Sequence, residues 1–419
     1  MDSILHLHPT SERWLFDGYL APYIDTYADH LILGGYAPKT IQVYLLCLAH
    51  LARWMSQSRC EVADLDEGAV RCFLNEHLPD CDCPEPVCRN RCNLSAACGR
   101  LLRVLRDNAI IAEPAVKIGP VDEELHGFDE YMNRVRGLAE GTRRGRIAIV
   151  RRLLIKFFID GPVVISMLQP ADVREFFATE LERCDSVSHA NTLTSALRAY
   201  FRYRTTCGDQ VGPLLGVIAS PAHWSLASLP RYLTDEEIER LLESFTPDLR
   251  SPRRGYAMVR CALDIGLRTS EIAKLTLTDI DWQAGTVKLR RTKSRREDIL
   301  PLPPTTGAAI AAYLQFERPR PARTNPAVFV RHVAPHDVPI SPDAVRKVIR
   351  VAYQRIGLTH GRTHALRHTL ARHLVESGSS IKEVADVLRH RSLNTSLIYA
   401  KVDSRRLRAV ALPWPGSAT

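Results

Sequence analysis

Between Thr363 and Tyr399 the chain reads THALRHTLARHLVESGSSIKEVADVLRHRSLNTSLIY, and this run constrains the fold more than any other. Leu366, Leu370 and Leu374 recur every four residues, the apolar stripe of a helix. His364 and Arg367 stand three apart on another face, which aims their side chains at one spot. Gly378 ends that helix, and Ile381, Val384, Ala385 and Leu388 supply the next apolar face. Arg389-His390 then falls in a turn, Ser392 can cap a further helix, and Tyr399 lies two turns along it. Imidazoles, a guanidinium and a late tyrosine suit phosphoryl transfer: basic groups hold phosphate oxygens while a phenol attacks phosphorus.

The rest of the chain must carry this site to an anionic substrate. With 419 residues, 45% apolar and 25% charged, there is material for two or three packed domains. A formal net charge of +9 favours an anionic partner, nucleic acid first, over a merely solvated basic surface. No apolar run is long enough to span a bilayer, and the opening MDSILHLHPTSERW is too polar for a signal peptide. We therefore expect a cytoplasmic protein with no membrane contact, whose 11 cysteines are thiols.

Residues 1–120 are expected to form a helical unit. IDTYADHLILGGYAPKTIQVYLLCLAHLARWM gives two helices broken at Gly34-Gly35, with Thr40 opening the second. Asp64-Leu65-Asp66 caps a third, and a fourth runs from about Leu94 to Asn108. The same order returns about one hundred residues later within 121–215. GYAPKTIQVYLLCLAHLARWM is echoed by GLAEGTRRGRIAIVRRLLIKFF, ADLDEGAVRCFLNEHL by SMLQPADVREFFATEL, and NLSAACGRLLRVLR by NTLTSALRAYFRYR. Duplication of a small four-helix unit explains order, loops and caps together, with chance similarity among amphipathic helices as the alternative. In the second copy Arg143, Arg144, Arg146, Arg151, Arg152 and Lys156 crowd one helix and could engage phosphates; a solvated face is the plainer reading.

The first copy holds a cysteine-rich loop at 77–92, HLPDCDCPEPVCRNRC. Cys81, Cys83, Cys88 and Cys92, with His77 beside them, are the types that bind tetrahedral Zn²⁺. Their C-x-C-x4-C-x3-C spacing departs from the usual C-x2-C pairs. We expect no metal here, only reduced thiols in an ordered, proline-containing loop.

From Gly208 to Leu229 the pattern dissolves into Gly, Pro and Ser, which marks a linker before a final domain at 229–419. Thr234 to Glu237 is a capping box, and a helix from Gly255 to Leu267 leads into GLRTSEIAKLT, where Arg268 follows the turn at Gly266. Thr286–Arg290 and Asp298–Leu302 read as strands of a β-hairpin around a basic turn holding Lys293. His364 and His368 stand four apart, as metal ligands do, but Ala365 occupies the place a zinc hydrolase would give its general base. His360, His368 and His373 are read as structural or surface groups.

The set H-x-x-R (His364 to Arg367), then His390, then Tyr399 nine residues on, together with GLRTSE around Arg268, resembles the tyrosine recombinases of the phage-integrase family. Arg389 departs from that pattern, since most members carry glycine there, and Lys293 lacks the usual flanking glycines.

The resemblance implies a mainly α fold with a small antiparallel β-sheet: two SAM-like helical units, then a catalytic domain. It implies that Tyr399 attacks the scissile phosphate to form a 3′-phosphotyrosyl link. Arg268, Arg367 and His390 would stabilise the transition state, Lys293 would protonate the leaving 5′-oxygen, and His364 would be general acid/base for the tyrosine. No cofactor is implied. The partners implied are double-stranded DNA and further protomers: a homo-tetramer on paired sites, or a hetero-assembly with related recombinases. The expected outcome is integration or excision of a mobile element. A silent DNA-binding regulator of the same fold and a type IB topoisomerase are the alternatives. In this family the C-terminal tail, here from Val402, commonly docks on a neighbouring protomer.

Overall fold

The computed structural model describes residues 7–113, 119–159, 161–183, 187–219, 230–290, 297–320, 324–336, 338–358, 363–390 and 392–402. Two compact units emerge: unit 1 is Met1–Pro114 with Ser228–Thr419, and unit 2 is Ala115–Ala227.

The first part of unit 1 is helical: α1 (Pro9–Phe16), α2 (Ile24–Leu33), α3 (Pro38–Ser58), α4 (Glu67–Cys72) and α5 (Arg91–Asp107). Pro38, not Thr40, opens α3, because a proline at the first helical position forfeits no hydrogen bond. Asp66 caps α4 by accepting from the Ala69 N–H at 2.8 Å. Leu45, Leu48, Leu51 and Met55 of α3 meet Leu94, Leu101 and Leu105 of α5 in a closed core. Truncating one such leucine to alanine costs about 2–5 kcal/mol.

Unit 2 contains α6 (Pro120–Glu130), α7 (Glu140–Phe157), α8 (Pro170–Glu182), α9 (Val187–Thr206) and α10 (Gly212–Gly216). A 3₁₀ turn precedes α8, at Ile165–Met167, as another precedes α4, at Val62–Asp64. The segment expected to be linker is folded in part. Val211, Leu214 and Ile218 are buried in the unit's core, and Arg198 Nη2 donates to the Ile218 carbonyl at 2.7 Å. Gly212, Pro213 and Gly216 lie in the short helix α10.

The rest of unit 1 holds α11 (Asp235–Glu243), α12 (Pro252–Asp264), α13 (Thr269–Lys274), α14 (Pro304–Phe316), α15 (Pro342–Arg355), α16 (His364–Glu376) and α17 (Ile381–Val387). Three short strands, β1 (Ile280–Asp281), β2 (Thr286–Leu289) and β3 (Asp298–Pro301), pair antiparallel in that order. Val287 opposes Leu300, and the alternate residues Val287 and Leu289 face the core, so one side of β2 anchors the hairpin. Thr234 and Glu237 form the capping box of α11. The fold is mainly α with a small antiparallel sheet, as the resemblance implies.

Candidate active site

The site is built around one turn and one carboxylate. Gly266, between α12 and α13, has φ +66°, and a Cβ there would lie 2.9 Å from Leu370 Cδ2 and 3.1 Å from Leu388 Cδ2. Only glycine combines that backbone with so close an approach of α16. The Gly266 carbonyl is thereby free to accept from both Arg367 Nη1 and Arg389 Nη2.

Arg268 stands at the N-cap position of α13, and Glu271, three residues on, accepts from the Arg268 N–H at 2.8 Å and from its Nη1 at 2.7 Å. Glu271 also accepts from Arg389 Nη2 at 2.7 Å. Burial pushes the Glu271 carboxyl up, but Arg389 and the Arg268 hydrogen bonds outweigh it and hold its pKa below the ordinary value. Arg389 occupies the turn at φ +54°, the left-handed region that glycine would adopt freely. Its side chain, buried to 5% exposure, uses that awkward backbone to reach the carboxylate.

Arg367 is buried on α16, and its Nη2 has no hydrogen-bond partner among the described residues. Burial, then Arg268 and Arg389, push its pKa down to about 9, so it stays charged at neutral pH. Tyr399, 1% exposed, lies in a 3₁₀ helix at Leu397–Val402. Its hydroxyl is 2.8 Å from His368 Nδ1. Burial raises the tyrosine to about 12 while Arg367 pulls it down. The His390 ring stacks on Tyr399 with centroids 6.2 Å apart at 13°, and its Nδ1 lies 2.5 Å from Ser396 Oγ. Burial first, then nearby cations, lower both His368 and His390 to about 4, so both are neutral at pH 7.

Arg268, Arg367, His390 and Tyr399 thus come together. His364 opens α16 on its exposed side, with its ring 6.5 Å from that of His368. Lys293, His360 and the tail from Asp403 lie outside the described residues. Lys288, the other lysine of the hairpin, is paired with Glu297 at 2.9 Å. His368, read as a structural or surface group, is half-buried with its Nδ1 within hydrogen-bond distance of the tyrosine hydroxyl. Glu271 was also missed, although its place three residues after Arg268 is capping-box spacing. The cysteine-rich loop regroups as well, bringing His77, Cys81 and Cys83 together with His50.

In unit 2 the basic run of α7 is largely paired. Arg143 meets Asp129 at 3.2 Å, Arg151 meets Asp122 at 2.6 Å and Lys156 meets Glu175 at 2.7 Å; Arg144 pairs with Glu140 and Arg152 with Glu180. Arg146 instead donates to Ser195 Oγ at 2.9 Å. It lines a cleft of about 280 Å³ with Arg136, Arg198, Arg202 and Asn191. This cleft, rather than the run as a whole, is where positive charge gathers beside polar groups.

A profile of the phage integrase family matches residues 231–406. The chain is 35% identical over 409 residues to the putative integrase/recombinase y4rA of Sinorhizobium fredii, covering 96% of each chain. It is 29% identical to the tyrosine recombinase XerD of Listeria innocua, over 58% of this chain and 81% of that one. Its fold is similar to that of a lambda integrase dimer bound to a COC′ core site (TM-score 0.51, 13% identity, 71% of this chain and 99% of that one). It is likewise similar to the Tn1549 transposon integrase in complex with transposon right end DNA (TM-score 0.50, 16% identity, 69% and 99% covered). Among the described residues no helix is long and apolar enough to cross a membrane.

Proposed function

The chain belongs to the phage-integrase family of tyrosine recombinases, enzymes of DNA strand transfer, and from that premise we propose that it recombines mobile-element DNA with Tyr399 as nucleophile. The observation that supports this reading best is Arg367 Nη2, a buried, charged donor with no partner among the described residues, close enough to Tyr399 to pull down its pKa. A buried donor left without an acceptor costs about 1–3 kcal/mol. A phosphate oxygen would relieve that cost.

In the proposed reaction Tyr399 Oη bonds to phosphorus while the bond from phosphorus to the 5′-oxygen breaks. The product is a 3′-phosphotyrosyl link and a free 5′-hydroxyl. A 5′-hydroxyl from another strand reverses the step, so bond energy is conserved. Arg268 and Arg367 neutralise charge on the pentacoordinate phosphate, and the neutral His390 ring donates a hydrogen bond to it. Glu271 keeps Arg268 extended towards it, and Arg389 shares that carboxylate. Neutral His368 accepts the phenol's proton at Nδ1, and His364, one turn earlier and exposed, passes it on. Lys293 protonates the leaving 5′-oxygen. A homo-tetramer, or a hetero-assembly with related recombinases, would hold two double-stranded DNA sites for the exchange.

We assign the phosphate backbone to the unit 2 cleft lined by Arg136, Arg146, Arg198 and Arg202. The mobile-element role is supported by full-length similarity to a relative named as an integrase/recombinase. A plasmid carrying two copies of the DNA that flanks the gene is the test. Purified protein should delete or invert the intervening segment, whereas relaxation without exchange would identify a topoisomerase and inert binding a regulator.

A further inference from the structure

Four side chains far from Tyr399 in sequence converge on one point in the first part of unit 1. His50 comes from the middle of α3, His77 from the π-helical turn Phe73–His77, and Cys81 and Cys83 from the loop that follows. Their ligand atoms all lie within 4.8 Å of one another. His50 Nε2 is 3.2 Å from His77 Nε2 and 3.2 Å from Cys81 Sγ, and Cys83 Sγ is 3.7 Å from His77 Nε2. Zinc bonds of about 2.0–2.1 Å to nitrogen and 2.3 Å to sulfur give tetrahedral edges of about 3.3–3.8 Å. Three of the separations come close to those edges, and the remaining ones stay within 4.8 Å.

The surroundings hold the ligands as a metal would need them. His50, fully buried, has Nδ1 2.9 Å from the Cys88 carbonyl. A carbonyl can only accept, so the proton sits on Nδ1 and the lone pair on Nε2 faces the other three groups. Phe73 is buried against both imidazoles, edge-on to His50 at 5.1 Å and stacked on His77 at 5.6 Å. Arg89 Nη2 donates to the Cys83 carbonyl at 2.9 Å and fixes the loop.

We propose that His50, His77, Cys81 and Cys83 bind one structural zinc ion that ties α3 to the loop after the π-helical turn. Two neutral imidazoles and two thiolates balance the charge of Zn²⁺, and four protein ligands leave no open position for catalysis. This revises the ligand set that the sequence suggested. Cys88 is buried in the core beside Cys47, and Cys92 is exposed on α5. His50 escaped notice because it is 27 residues from His77 on an otherwise apolar helix face.

Full-length protein purified without chelator should carry about one equivalent of zinc by elemental analysis. Cys92→Ser should keep it, while Cys83→Ser and His50→Gln should lose most of it with their helical circular dichroism largely retained. Should those two variants fail to fold, cobalt substitution of the wild type still decides. It should give the intense visible bands of a tetrahedral site with thiolate charge transfer from two sulfurs. Zinc below about a tenth of an equivalent in the wild type, equal loss in Cys92→Ser, or a cobalt spectrum with three or four thiolates would overturn the proposal.

Discussion

Arg389 Nη2 lies 2.7 Å from Glu271 Oε2, joining two residues 118 positions apart through a buried ion pair. The pair accounts for a non-glycine residue at φ +54°. Left-handed backbone at such a residue costs about 1–3 kcal/mol. Removing one partner of a buried pair costs about 3–5 kcal/mol. Arg268 still holds Glu271, which softens that loss. Arg389→Gly should therefore relieve the strain yet destabilise the protein by about 1–3 kcal/mol net, read as a lower melting temperature. A variant as stable as the wild type would show that the turn, not the side chain, matters.

His368 and His390 predict how stability follows pH. Both carry folded pKa values of about 4, against 6.5 for an ordinary histidine. The unfolded chain therefore binds more protons between those values, so stability is complete above about 6.5 and is lost as pH falls towards 4. Each keeps some exposure, which limits its share to about 1–2 kcal/mol. His368→Asn does not titrate, and its stability should fall less steeply over that window. Parallel melting curves for wild type and variant would contradict the assignment. At neutral pH the same variant should slow cleavage roughly 10–1,000-fold if His368 takes the tyrosine's proton.

Much of the site could be read from spacing, because helices convert sequence intervals into shared faces. The helix carrying Leu366, Leu370 and Leu374, the hairpin and the Thr234 cap all lie where periodicity and capping put them, with Leu366 fully and the other two leucines partly buried. What escaped depends on partners remote in the chain. Nothing near Arg389 announces Glu271. The basic run of α7 looked available for DNA because its acids, Asp122, Asp129, Glu175 and Glu180, sit on other helices. His368 looked idle because only the folded chain brings Tyr399 to it.

Lys293 belongs to the sequence between β2 and β3, and its proposed role is chemical rather than structural. Lys293→Ala should slow cleavage of ordinary DNA by about 10²–10⁴-fold, because the 5′-alkoxide leaves poorly without a proton. With sulfur at the bridging 5′ position the leaving group needs no proton, and most of the rate should return. Arg268→Ala should show no such rescue. Rescue of Lys288→Ala instead would move the general acid to the lysine now paired with Glu297.

The central claim, that Tyr399 becomes bonded to DNA, is tested by a nicked suicide substrate built on the DNA flanking the gene. Loss of a short fragment past the nick traps the covalent intermediate on a denaturing gel. Proteolysis and mass spectrometry of the trapped complex should find the nucleotide on the peptide containing Tyr399. Tyr399→Phe removes only an oxygen whose hydrogen bond goes to His368, so it should bind the same DNA and form no adduct. An adduct that persists in Tyr399→Phe, or that maps to another residue, would contradict the account.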